Sequence, residues 1–195
     1  MLSISQAVIF ERPKSLSLGT LDLKNPASGD VVVEMKWTGI STGTEKLLWC
    51  GDMPWFPGLE YPLVPGYEGV GDVVEAGAQS GMTVGQRVFV PGANCYEGAR
   101  GLFGASAKHV VVPSARALAV DVEMGDEAIL LSLAATAQHA IAGSPDAGST
   151  LIVGHGVVGR LLARLLMARG DRPPTVWEIS GARERGASGY DVIRP

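Results

Sequence analysis

Three glycines and one acid carry the clearest chemical signal in the chain. Gly154, Gly156 and Gly159 follow the apolar run Leu151, Ile152 and Val153 in G-x-G-x-x-G spacing, and an apolar-rich stretch from Arg160 to Arg169 reads as a helix behind them. A second apolar run, Thr175, Val176 and Trp177, ends at Glu178, roughly 20 residues past the glycines, where a dinucleotide-binding unit places its acid. Each position has a physical reason. The first glycine permits a tight turn, the second lets backbone approach a pyrophosphate, and the third lets helix pack closely on strand. The helix N-terminus offers free N–H groups and a partial positive charge to an anion. The pattern predicts a cofactor turn formed by Gly154, His155, Gly156, Val157, Val158 and Gly159, with His155 meeting the cofactor through its backbone. Glu178 then binds ribose hydroxyls and favours NAD, because a carboxylate repels the 2′-phosphate of NADP.

Whatever positions this turn must fit in 195 residues, enough for one large or two modest domains. Hydrophobic residues make up 46% and charged residues 18%, which excludes a disordered chain. The net charge is −4 without a Lys/Arg cluster, so no nucleic-acid footprint is present. No segment reads as a signal peptide or membrane span, and Cys50 and Cys95 stand far apart without a C-x-x-C. A cytoplasmic location is expected.

The first 120 residues or so alternate strands with glycine and proline punctuation. Gln6 to Glu11, Asp30 to Thr38, Val70 to Glu75, Arg87 to Val90 and His109 to Val112 read as strands of a partly open β-barrel. Asp30 to Thr38 alternates most clearly, with Val31, Val33, Met35 and Trp37 on one face, and is expected to be half-buried with Trp37 in the core. The period turns helical from Asp126 to Ile141, and Gly143-Ser144-Pro145-Asp146 should end that helix. His139 on it reads as packed or capping. The expected division is a barrel domain over 1–122, a bridging helix and linker over 123–148, and a partial α/β nucleotide domain over 149–195.

Together TGISTGTEKLLWCGDMPW, PGYEGVGDVVEAGAQSGMTVGQRVFVPG, AKHVVVP, LAATAQHAI and VGHGVVG resemble, in order and spacing, the medium-chain dehydrogenase/reductase superfamily. The resemblance implies a GroES-like substrate domain followed by a Rossmann-type, doubly wound parallel sheet, NAD as cofactor, and a possible homodimer in the complete protein. ISTGTEKLLW, FPGLEYPLVPGYE and GLFGASAKHVVVP further resemble the branch that serves bacteriochlorophyll synthesis. A tetrapyrrole substrate is implied, its 1-hydroxyethyl group oxidised to acetyl. Zinc-dependent members place a cysteine and a histidine where this chain has Ser41 and Tyr67, and both are poor zinc ligands. No metal site is expected.

Without zinc, a side chain must take the alcohol proton. Tyr67, Glu68, Ser41, Thr42 and Glu45 are the candidates, because ISTGTE and GYE line the catalytic cleft in the resembled proteins. The loop Leu47 to Tyr61 supplies Trp49, Trp55 and Phe56 as candidate walls for a flat macrocycle. Two other functions fit the same residues: a zinc-free enone or quinone reductase, and a tetrapyrrole- or partner-binding module without redox chemistry. A nucleotide domain of only two or three strands is expected to belong to a longer protein.

Overall fold

The computed structural model describes residues 3–143 and 148–195. They form two compact units, Met1–Leu130 and Leu131–Pro195.

The first unit holds β1 (Ile4–Arg12), β2 (Ser15–Asp22), β3 (Asp30–Thr38), the short helix α1 (Thr44–Cys50), β4 (Leu63–Val64), β5 (Gly69–Ala76), β6 (Arg87–Val90), β7 (Arg100–Gly101), β8 (His109–Pro113) and β9 (Leu118–Ala119). They make a four-stranded sheet in the order β2-β1-β4-β7 and a five-stranded sheet in the order β8-β3-β5-β6-β9. The sheets meet where the segment before β8 reaches β1, through an Ala7–Ala107 bridge and the Val8 amide donating to the Ser106 carbonyl at 2.9 Å. The result is a partly closed barrel. Its core is a valine cluster from both sheets, including Val31, Val33, Val73, Val88 and Val110.

β3 has the boundaries read from the sequence but not the expected half-burial. Its two edges are paired with β8 and β5, and Val31, Val32 and Val33 are all buried, so both of its faces are covered at this end. Register shifts against β5 after Val32 and after Met35 then break the alternation. Trp37 leaves the core in consequence; it is 38% exposed with the Arg87 guanidinium 5.1 Å from its ring centre, a cation–π contact. Arg87 is fixed by Asp72 through Nε–Oδ1 at 2.5 Å and Nη2–Oδ2 at 3.3 Å.

The expected helix over 126–141 is two pieces. A 3-10 segment, Val122–Leu130, kinks at Gly125 (φ +56°), and only α2 (Leu131–Ala142) is α-helical. His139 is exposed rather than packed. Ser144, Pro145 and Asp146, expected to end the helix, lie outside the described residues.

The second unit continues with β10 (Leu151–Val153), α3 (Val157–Arg169), β11 (Thr175–Trp177) and β12 (Asp191–Ile193), a parallel sheet in the order β10-β11-β12. Ile152 and Val176 meet Ala163 and Leu166 of α3 to form its core. Between β11 and β12 the only helical turn is a 3-10 piece, Gly181–Arg183.

Candidate active site

The turn before α1 is built by reciprocal capping. The Ser41 Oγ accepts from the Thr44 amide at 3.2 Å, while the Ser41 amide donates to Glu45 Oε2 at 3.0 Å. Side chains of this kind satisfy amides that a helix start leaves unpaired. Ser41 and one oxygen of Glu45 are thereby committed to holding the turn, and Thr42 is exposed at its tip.

Opposite the turn stand Tyr67 and Glu68. The Tyr67 hydroxyl is 3.5 Å from Thr44 Oγ1, and its ring meets Phe103 edge-on with centres 5.3 Å apart. Glu68 enters β5 with only 5% of its surface exposed, and its Oε1 is buried without a hydrogen-bond partner among the described residues. The Gly39 amide donates to the Glu68 carbonyl at 2.8 Å. A Cβ at Gly39 would lie 2.2 Å from Glu68 Oε2, so only glycine lets the carboxyl sit there.

Burial pushes the Glu68 carboxyl above the usual carboxylate range. Burial also raises Glu45, which is 7% exposed; hydrogen bonds from its own amide and from Ser41 oppose the rise, and repulsion from Glu68 adds to it. Two buried acids that repel each other, with carboxyls made more basic by burial, form a pair suited to accepting a proton. No cluster of three or more His, Cys, Asp or Glu side chains is gathered for a metal among the described residues.

The aromatic candidates separate. Trp49 packs edge-on against Phe10 at 5.8 Å beside the small core of Phe10, Leu48 and Leu63. Trp55 is 77% exposed and Phe56 is half-buried. Phe103, against Tyr67 and 41% exposed, was not singled out by sequence. Its signal was the pair of glycines around GLFG, which bring backbone close: a Cβ at Gly104 would lie 1.7 Å from the Ala93 carbonyl.

The glycine turn has the form the motif demands. Gly154 has φ +100°, a Cβ on Gly159 would lie 2.0 Å from the Gly154 carbonyl, and a Cβ on Gly156 would meet nothing within 4 Å. The turn is tight below and open above, with Gly156 capping α3 and Val157 and Val158 exposed at its first turn. Glu178 closes it from the side. Its carboxylate accepts from the Ser180 and His155 amides, each at 2.8 Å, and those bonds hold it below the usual range.

The His155 amide donates to Glu178 and its ring is fully buried. Nδ1 lies 2.6 Å from the Arg183 carbonyl and Nε2 lies 2.8 Å from the Tyr190 hydroxyl. Arg160 adds Nε to the His155 carbonyl at 3.1 Å and Nη2 to the Arg183 and Arg185 carbonyls at 3.2 and 2.6 Å.

Residues 27–122 match the alcohol dehydrogenase GroES-like domain. The chain carries a GroES-like domain of the alcohol dehydrogenases. With the parallel unit behind it, it is a member of the medium-chain dehydrogenase/reductase superfamily. The 2-desacetyl-2-hydroxyethyl bacteriochlorophyllide A dehydrogenase of Rhodobacter capsulatus is 53% identical over 98% of the chain. The chain spans 61% of that relative's length. Among solved structures, a zinc-binding dehydrogenase of Sinorhizobium meliloti bound to NADP aligns with TM-score 0.81 at 24% identity, over 100% of this chain and 63% of that one. Acetophenone reductase from Geotrichum candidum in complex with NAD aligns with TM-score 0.79 at 18% identity, over 100% and 64%. At these identities the structures show the fold. No helix among the described residues is long and apolar enough to cross a membrane.

Proposed function

We propose that this chain serves the NAD-dependent oxidation of the 1-hydroxyethyl group of a bacteriochlorophyllide to an acetyl group. The observation that carries this reading is Glu68: a buried carboxyl with an unpartnered oxygen, next in the chain to Tyr67, whose hydroxyl lies 3.5 Å from Thr44 Oγ1, in a chain 53% identical to a dehydrogenase named for that pigment.

The second unit fits a nicotinamide dinucleotide. Gly154 and Gly156 leave open space above the turn and Gly159 lets α3 close on it, α3 offers its N-terminal amides to a pyrophosphate, and Glu178 brings a carboxylate that disfavours a 2′-phosphate. NAD held there would supply the acceptor for the hydride of the carbinol carbon. The protein's own task is the hydroxyl proton. Tyr67 and Thr44 present hydroxyls to the alcohol, and the Glu68–Glu45 pair receives the proton, since burial has made these acids more basic than exposed ones. Ser41 and Thr42 shape the turn that holds Thr44. Phe103, Trp55 and Phe56 offer aromatic surface to the macrocycle, while Trp49 supports that wall from behind through Phe10. A cytoplasmic setting agrees with two free cysteines, and a homodimeric enzyme is part of the same reading.

Incubation with NAD and hydroxyethyl bacteriochlorophyllide should shift the long-wavelength pigment band as a carbonyl joins the conjugation. NADPH-dependent reduction of an enone with no pigment shift would replace this function by that of an enone reductase. Pigment binding without turnover with either cofactor would point to a binding module.

A further inference from the structure

The segment from Ile179 to Tyr190 does the work of a crossover element between two parallel strands with one 3-10 turn of its own. Parallel neighbours ordinarily need a crossover of a dozen or more residues, usually helical, to pack back on the sheet. Here the attachment is polar and converges on a single buried imidazole. The Arg183 carbonyl can only accept, so the hydrogen between it and His155 lies on Nδ1. Nε2 then meets the Tyr190 hydroxyl at 2.8 Å just before β12. Arg160, on the first turns of α3, binds the carbonyls of His155, Arg183 and Arg185. Glu178 ties the other end, joining the His155 amide to the Ser180 amide. The glycine turn, the acid and the whole connecting segment thus share one hydrogen-bond network whose centre has no solvent exposure.

We propose that His155 is a positioning residue for the dinucleotide. Its ring clasps residues 179–190 to the glycine turn, and the clasp fixes Glu178 where the adenosine ribose is recognised. The inference rests on the NAD reading above and assigns His155 no contact with substrate or reacting atoms. Loss of the clasp frees a segment that has little apolar packing, so the cost appears in adenosine-side binding and not in the chemical step. An apolar side chain of similar volume cannot do the same, because it would take the partner from the buried Tyr190 hydroxyl and leave the Arg183 carbonyl to Arg160 alone.

The test compares His155→Leu, His155→Asn and Tyr190→Phe with the wild type in the full chain, by calorimetric titration with ADP-ribose and by KM for NAD against kcat. His155→Leu should weaken ADP-ribose and raise the KM for NAD about tenfold, the size of one buried hydrogen bond, with kcat within about twofold by the same reasoning. Asn keeps a donor near the place of Nδ1, so His155→Asn should recover most of the loss. Tyr190→Phe should fall between them, and it carries the test if His155→Leu does not fold. Amide exchange in the leucine variant should rise mainly over 179–190. Equal ADP-ribose affinity in all four proteins, or a fall in kcat with an unchanged KM, would overturn the assignment. A wild-type protein that binds ADP-ribose but does not oxidise the pigment alcohol would remove the substrate reading and leave the clasp standing; failure to bind any dinucleotide would remove both.

Discussion

Replacing Glu68 by Gln should stabilise the protein at neutral pH while removing its activity. The carboxyl is buried beside Glu45, and Oε1 finds no donor among the described residues. Its folded pKa is raised by burial, so between the unfolded value, near 4.3, and the folded one, the folded protein holds the proton more tightly than the unfolded chain. Stability therefore falls as pH rises through that window, and above it the full penalty is present. Each unit of such a shift is worth about 1.4 kcal/mol. An unsatisfied buried group costs about 1–3 kcal/mol, and Gln returns part of this because its amide also lacks a partner. A net gain of about 1–2 kcal/mol at pH 7 follows, or roughly 3–8 °C in the melting midpoint of a unit this size. At pH 4 and below, where the acid is protonated in both states, the gain should vanish. Thermal melts at pH 4 and pH 7, paired with the pigment assay, read both consequences. A glutamine variant that is less stable than wild type at pH 7, or equally shifted at both pH values, would refute the picture of an unsatisfied buried acid.

Tyr67→Phe should lower kcat about a hundredfold with little change in KM, the usual size of a lost proton-transfer group; stopped-flow reduction of NAD would measure it. Gly159→Ala should weaken NAD binding at least tenfold by titration calorimetry, because its Cβ would fall 2.0 Å from the Gly154 carbonyl and the turn must open. Gly104→Ala, 1.7 Å from the Ala93 carbonyl at φ +90°, should cost about 3 kcal/mol or more in urea unfolding. Alanine at Gly81, where nothing lies within 4 Å although φ is +69°, should cost about 1 kcal/mol. Prolonged dialysis against a chelator should leave the activity unchanged, as expected where Ser41 and Tyr67 replace zinc ligands.

The elements that sequence disclosed best were those whose local pattern and tertiary setting agree. The strand, glycine turn, helix and second strand of the nucleotide unit depend on neighbours close in the chain, and they were legible to within a few residues. β2 was not. Its leucines at 16 and 18 face outward, so Ser15–Asp22 lacks the buried stripe that marks a strand. The half-burial expected of β3 failed because both of its faces are covered around Val31 to Val33, and no single strand reveals what packs on it. At the candidate site, it was the resemblance of GYE to cleft-lining segments of the family that pointed to Tyr67 and Glu68. It did not reveal that Ser41 is committed to a cap, a matter of side-chain direction. Tyr190 and Arg160 escaped notice altogether, since no rule of spacing links them to His155. The bond between His155 and Tyr190 exists only because a segment without its own helix is folded back over the turn.

The pairing of β3 with β8 sets a timetable for synthesis on the ribosome. Asp30 pairs with Pro113 and Glu34 with His109, so one edge of β3 stays open until the chain has grown past β8. At bacterial elongation rates that delay is on the order of ten seconds or less, with a run of three valines awaiting its partner. Lys36 and Glu34, paired at 2.5 Å farther along the same strand, place charge on that waiting edge, the usual protection of an unpaired strand against a neighbouring nascent chain. The parallel unit carries no such delay, since β10 pairs with the very next strand. Strong overproduction should therefore tax the barrel first, and slower growth at low temperature should rescue it.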